Sequence, residues 1–178
     1  MHDTMSIDFG IFDHLDRGGF ALGELYANRL RLIEAYDRAG FHAYHLAEHH
    51  GTSLGMAPVP GVFLSAVAQR TRRLRFGPSV YVLPVHDPLR LIEEVAILDH
   101  LSHGRFEIGV GRGVSHFEFN ALGVDRNESR ERFGECLDEL RDVWGVELCA
   151  TVLDSTAEHL QGFTDNRVLD ISDLLNML

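Results

Sequence analysis

Residues His45 to Gly51 read HLAEHHG. Three imidazoles and one carboxylate within a few positions invite a reading as a metal site. His45, Glu48 and His49 have the H-x-x-E-H spacing of one class of zinc peptidases. Such a site needs both histidines on one ion, each about 2.0–2.1 Å from it. On a helix, residues four apart are neighbours, with Cβ atoms roughly 5–6 Å apart. On a strand the same two residues lie about 13 Å apart, at roughly 3.3 Å per residue, and one ion cannot hold both. The secondary structure of 41–50 therefore decides between a zinc site and a strand end at which His49 and His50 satisfy backbone groups.

A second stretch with chemical content is GVGRGV, residues 109–114. It is not the dinucleotide fingerprint G-x-G-x-x-G, because Val114 stands at the third glycine position. Gly111 and Gly113 still let the backbone approach a flat or anionic ligand. Arg112 between them offers a fork of donors that suits a phosphate. Arg130 falls in the first turns of a predicted helix, where the macrodipole also favours an anion. The competing reading pairs Arg112 with an acidic neighbour and leaves Arg130 on a solvated face beside Glu131.

The elements that must position these residues follow a rhythm. SIDFGIFD (6–13) is a short apolar run that ends in the polar loop HLDRGG. Leu25, Leu32, Ile33 and Tyr36 recur at near-helical spacing, and Gly40 suits the end of that helix. FHAYHLAEHH (41–50) follows at once. PVPGVFLSAVAQRT reads as a second helix, and RRLRFGPSVYVLP (72–84) as one buried strand. HDPLRLIEEVAILDHLSHG opens with a proline suited to a first helical turn. RFEIGVG (105–111) is a fourth short apolar run. Asp125 and Glu128 have capping-box spacing ahead of ESRERFGECLDELRDVW. Strand and helix alternate four times, which predicts an α/β fold with a parallel sheet. The rhythm makes 41–50 a strand and argues against zinc. It also gathers HLDRGG, AEHHG, PVHD and GRGVSH at the C-terminal ends of the strands. His14, His86 and His116 follow strand ends and could line a pocket there. Beyond Gly145 the punctuation is lost, so the chain divides into 1–145 and a divergent tail, 146–178.

The chain has 178 residues, 45% of them hydrophobic, and a formal charge of −11. That balance argues against nucleic acid or an anionic membrane as partner. Cys136 and Cys149 form no C-x-x-C pair, so neither a disulfide framework nor a thiolate metal site is suggested. No run approaches the roughly 18 apolar residues of a membrane span, and no secretory leader is visible. A cytoplasmic protein is expected.

Taken together, AEHH (47–50), VLPVHDPLRLIEEVAILDHLSHGRFEIGVGRG (82–113) and NESRERF (127–133) resemble the bacterial-luciferase-like flavin-dependent monooxygenases. The likeness runs from about residue 7 to 144. It implies a (β/α)8 TIM barrel of which about four βα units are present, a half barrel. It implies reduced FMN from a separate flavin reductase, with a deazaflavin (F420) as the alternative, and O2-dependent oxidation of a small organic substrate. Carried over by position, His49 is the catalytic histidine, with Glu48 and His50 supporting it. Arg112 and Arg130 hold the flavin phosphate, beside Gly113. Ser79 and Val80 fall where the family often has a cis peptide bond against the flavin ring. Luciferase proper has a reactive cysteine at the position of Gly111, so light emission is not expected. A whole barrel needs about 250 residues. The chain therefore looks truncated to an N-terminal half, with two open sheet edges and an uncovered apolar inner face. It is expected to form a homo-oligomer, or to be a non-catalytic remnant that binds flavin or self-associates.

Overall fold

The structure, a computed structural model, describes residues 7–144. The tail assigned to 146–178 lies outside the described residues.

Strands β1 (Gly10–Asp13), β2 (Ala43–Leu46) and β3 (Arg75–Pro78) pair in parallel in that order. Strand β4 (Tyr81–Val82) pairs in parallel with β5 (Val110–Gly111). Helices α1 (Leu22–Ala39), α2 (Pro60–Arg70) and α3 (Pro88–Ser102) fill the crossovers, and α4 (His116–Ala121) and α5 (Ser129–Trp144) follow β5. The two sheets are one parallel array. The N–H of Glu107 donates to Phe76 O at 2.8 Å and that of Tyr81 to Gly109 O at 2.8 Å. The segment 105–111 is thus the fourth strand, laid beside the third. No side chain fits at Gly77, where a Cβ would lie 1.7 Å from Glu107 O.

The element ends follow local chemistry. Gly40 closes α1 in the left-handed region at φ 83°. The Asp87 side chain accepts the N–H of Arg90 at 3.0 Å and Pro88 opens α3. Two expectations need correction. The single strand expected over 72–84 is broken: the Ser79–Val80 peptide is cis, with β3 before it, β4 after it and a 3-10 turn over Leu83–Val85. The capping pair Asp125 and Glu128 does not open α5. Asp125 accepts the N–H of Asn127 at 2.8 Å and starts a 3-10 turn, Arg126–Glu128, so α5 begins only at Ser129.

One face of the sheet carries the core. Tyr44, Leu46 and Phe76 are fully buried, packed with Ile33 of α1, Leu64 and Val67 of α2, Leu91 and Val95 of α3, and Leu137 and Leu140 of α5. The opposite face is not the apolar surface that was expected. Phe12, His45 and Gly77 share a register there. Glu107 accepts from Arg75 Nε and lies 2.9 Å from His45 Nε2. Burial pushes the Glu107 carboxyl up, but bonds from His45 and Arg75 outweigh it and hold the group at about 2. Charged groups thus line this face, beside the Phe12 side chain, which is 55% exposed. Among the described residues β1 pairs only with β2, and Ile7 and Phe9 just before it are exposed. No helix there is long and apolar enough to cross a membrane.

Candidate active site

Beyond β2 the chain stays extended long enough for the N–H of Ala47 to reach Asp13 O at 2.9 Å. The next residue, Glu48, turns its side chain wholly out of solvent. Its Oε2 accepts the backbone N–H of Val82 at 2.7 Å. Its Oε1 lies 2.6 Å from His50 Nε2, and His86 Nε2 lies 2.8 and 3.0 Å from its two oxygens. A carboxylate only accepts, so the Nε2 atoms of His50 and His86 carry hydrogens. Burial would raise the Glu48 pKa, but the bonds from His50, His86 and Val82 prevail and hold it below the usual carboxylate value. The same hydrogen bond holds the His50 imidazole above its ordinary value, against burial.

His49 points elsewhere. Its Nδ1 lies 3.1 Å from Glu118 Oε1, and that same oxygen accepts the backbone N–H of His50 at 3.1 Å. Glu118 is 8% exposed and sits on α4. His14, just past β1, stacks on His49 with ring centroids 5.3 Å apart, and its buried Nδ1 has no hydrogen-bond partner among the described residues. His45 and His49 therefore serve different carboxylates, Glu107 and Glu118. This is the separation that a strand imposes. Among the described residues no group of three or more His, Cys, Asp or Glu is placed to hold a metal ion.

The second cluster sits where β5 leaves the sheet. Arg112 Nη1 reaches Ser129 Oγ, the first residue of α5, at 3.4 Å, and Arg130 follows on the exposed side of that helix. Ser129 is buried and donates its hydroxyl to Arg126 O at 2.6 Å. Gly113 has φ 75°, and a Cβ there would lie 2.5 Å from Val82 Cγ1. Val82 thus belongs to both clusters, with its N–H on Glu48 and its side chain packed with Phe119 of α4. Ser79 and Val80 are half-buried between them in sequence and joined by the cis bond.

Of the residues singled out in the sequence, Glu48 and His50 come together at β4, His49 turns to Glu118 on α4, and Arg112 and Arg130 lie at the start of α5. Glu48 has no open surface with which to touch a ligand. His86 proves to be a partner of Glu48. Glu118 was missed because α4, at six residues, is too short to show helical periodicity. Its signal was the S-x-x-E spacing of Ser115 and Glu118, realised as a cap in which Ser115 Oγ accepts the N–H of Glu118 at 3.3 Å.

A parallel βα array with its polar residues at the strands' C-terminal ends defines the class: one half of an α/β barrel with a site at its top. Residues 7–169 match the luciferase-like monooxygenase family, and the chain belongs to it. The uncharacterised protein y4wF of Sinorhizobium fredii is 52% identical over 134 residues, 75% of this chain and 39% of its own. The oxygenase component of the flavin-dependent trigonelline monooxygenase of Acinetobacter baylyi is 31% identical over 140 residues, 76% of this chain and 39% of its own. The crystal structure of monooxygenase RslO1 from Streptomyces bottropensis superposes with a TM-score of 0.73 at 37% identity, covering 79% of this chain and 44% of that one. The chain thus spans about two-fifths of the length of these relatives.

Proposed function

We propose that this chain carries the flavin end of a monooxygenase that uses reduced FMN and O2 on a small organic substrate. The observation that carries the reading is the placement of Arg112 on Ser129 at the head of α5, with Arg130 beside it. The long contact leaves most of Arg112's five donors for an anion, which the helix start also favours. The half-buried Ser79–Val80 segment, with the Val80 side chain packed on Gly111, would form the wall against which a flat ring lies. The residues fit a phosphorylated flavin, either FMN or the deazaflavin F420.

A bound reduced flavin would supply the electrons that activate O2. The chain's part is to bind and orient. Arg112, Gly113 and Arg130 would hold the phosphate, Ser79 and Val80 would back the ring, and His49 would face the reacting groups. Glu48 and His50, with His86, would fix the strand ends that aim His49. A separate reductase would supply the reduced flavin, in keeping with the Acinetobacter relative's name as an oxygenase component. A cytoplasmic setting goes with that supply. Among the described residues β1 and the strand 105–111 each pair on one side only, which supports self-association of a unit covering 1–145, with 146–178 as an appended tail. A second reading is a half barrel that binds flavin or self-associates without turnover. The exposed Ile7, Phe9 and Phe12 at β1 favour it.

The test is a titration with FMN, followed by flavin fluorescence at several protein concentrations. Saturable binding that tightens as protein concentration rises is expected, followed by O2 consumption when FMNH2 and a reductase are supplied. Absence of binding to both FMN and F420 at every concentration would defeat the cofactor assignment. Binding without turnover would decide for the second reading.

A further inference from the structure

We propose that Glu118 is the positioning residue for His49: it fixes the imidazole with its hydrogen on Nδ1 and leaves Nε2 as a bare acceptor at the mouth of the site. The argument starts from donors and acceptors. Glu118 Oε1 accepts the N–H of His50 at 3.1 Å and lies 3.1 Å from His49 Nδ1. A carboxylate oxygen already taking one N–H has no hydrogen to give, so the ring nitrogen facing it is the donor. Which nitrogen of a histidine is bare is set by the bond that the other makes.

The geometry is held from several sides. Glu118 is 8% exposed and is anchored through its own N–H on Ser115 Oγ. Phe119, the next residue, is 1% exposed and packs with Val82 and Val124. The His14 ring stacks nearly parallel on His49, with an interplanar angle of 15°, and restricts its rotation. The His49 side chain keeps 26% of its surface open. His50, by contrast, directs its Nε2 hydrogen at Glu48. The two adjacent imidazoles are therefore set in opposite tautomers, each by its own carboxylate.

Resting on the flavin monooxygenase reading, this names the chemistry that meets His49. A bare Nε2 takes a hydrogen bond or a proton from an O–H or N–H of flavin or substrate. In such a transfer the donor's X–H bond breaks, its electron pair stays on X, and the proton forms N–H on Nε2. The imidazolium so formed is stabilised by Glu118 on its far side. The site should thus select substrates or adducts carrying a hydroxyl or N–H at the reacting end.

The experiment is a long-range 1H–15N correlation of the histidine side chains in the full chain, above the pH at which histidines titrate. His49 should show a protonated Nδ1 and a pyridine-like Nε2, with His50 showing the reverse. Glu118→Gln, whose amide oxygen still accepts, should retain the His49 pattern. Glu118→Ala should shift His49 to the Nε2–H form that free histidine prefers. A wild-type His49 with Nε2–H, or an Nδ1–H form that persists in Glu118→Ala, would overturn the proposal. If the alanine variant does not fold, the wild-type spectrum and the glutamine variant decide. The readout needs no flavin, so its failure is separate from failure of FMN to bind.

Discussion

The carboxylate of Glu48 accepts the backbone N–H of Val82 at 2.7 Å, and so ties the chain just past β2 to β4. Three donors converge on this one buried group: Val82 N–H, His50 Nε2 and His86 Nε2. Glu48→Gln keeps the shape but turns an NH2 toward at least one of them. Leaving a buried donor unmet costs about 1–3 kcal/mol, and Glu48→Ala, which breaks the charged pair outright, about 3–5 kcal/mol. Urea unfolding at fixed protein concentration should show that order. Midpoints equal to wild type in both variants would mean that the cluster contributes nothing to stability.

The same cluster predicts a stability window in pH. The Glu48 pKa is lowered from its ordinary 4.5 in the folded chain, so its contribution is present above that value and lost as pH falls through the folded one. The His50 pKa is raised from its ordinary 6.5, so its contribution is full below that value and lost as pH rises through the folded one. Both are complete between about 4.5 and 6.5. Unfolding midpoints measured across pH should peak there, and Glu48→Gln should flatten the decline on the alkaline side. An alkaline limb of the same slope in that variant would detach the effect from His50.

Arg112 makes a separable prediction about ligands. If it and the head of α5 hold a phosphate, Arg112→Ala should weaken FMN while leaving riboflavin, which lacks the phosphate, unchanged. Hydrogen bonds to charged groups are worth about 1.5–3 kcal/mol, so the loss should be roughly 10- to 100-fold in Kd. Equal loss for both flavins would move the role of Arg112 from phosphate binding to structure.

The sequence carried the alternation of strands and helices because apolar spacing, Gly40 and the Asp87–Pro88 start are local signals. It also gathered HLDRGG, AEHHG, PVHD and GRGVSH at one end of the sheet, since each follows a strand. Apolar spacing did not carry the break at Ser79–Val80, because runs such as Val80–Leu83 report burial and not the direction of the backbone; the cis bond there was expected from the family resemblance alone. Six-residue α4 is too short for periodicity, so Glu118 passed unseen although its cap was written in Ser115. The Glu107 bridge to His45 joins residues 62 apart, and nothing local in one sequence announces such a pair. That bridge is also why the inner face was misread, for its charges belong to a layer that only the register assembles.

Gly111 and Val80 offer the sharpest test of packing at the site. A Cβ at 111 would lie 2.6 Å from Val80 Cγ2 and 3.3 Å from its Cβ. Val80 is β-branched and cannot swing aside cheaply. Luciferase proper has cysteine at this position, but here either Gly111→Ala or Gly111→Cys must displace Val80 or part β4 from β5, which pair at Val82 and Gly111. Overpacking of this kind costs about 1–3 kcal/mol. Val80→Ala removes the atom that is struck, so the double variant should recover part of the loss. A coupling of about 1 kcal/mol is expected in a double-mutant cycle on unfolding free energy. Strict additivity would show that the glycine is required by something other than Val80. Recovery of stability in the double variant without recovery of FMN affinity would mean that the Val80 side chain itself backs the flavin ring.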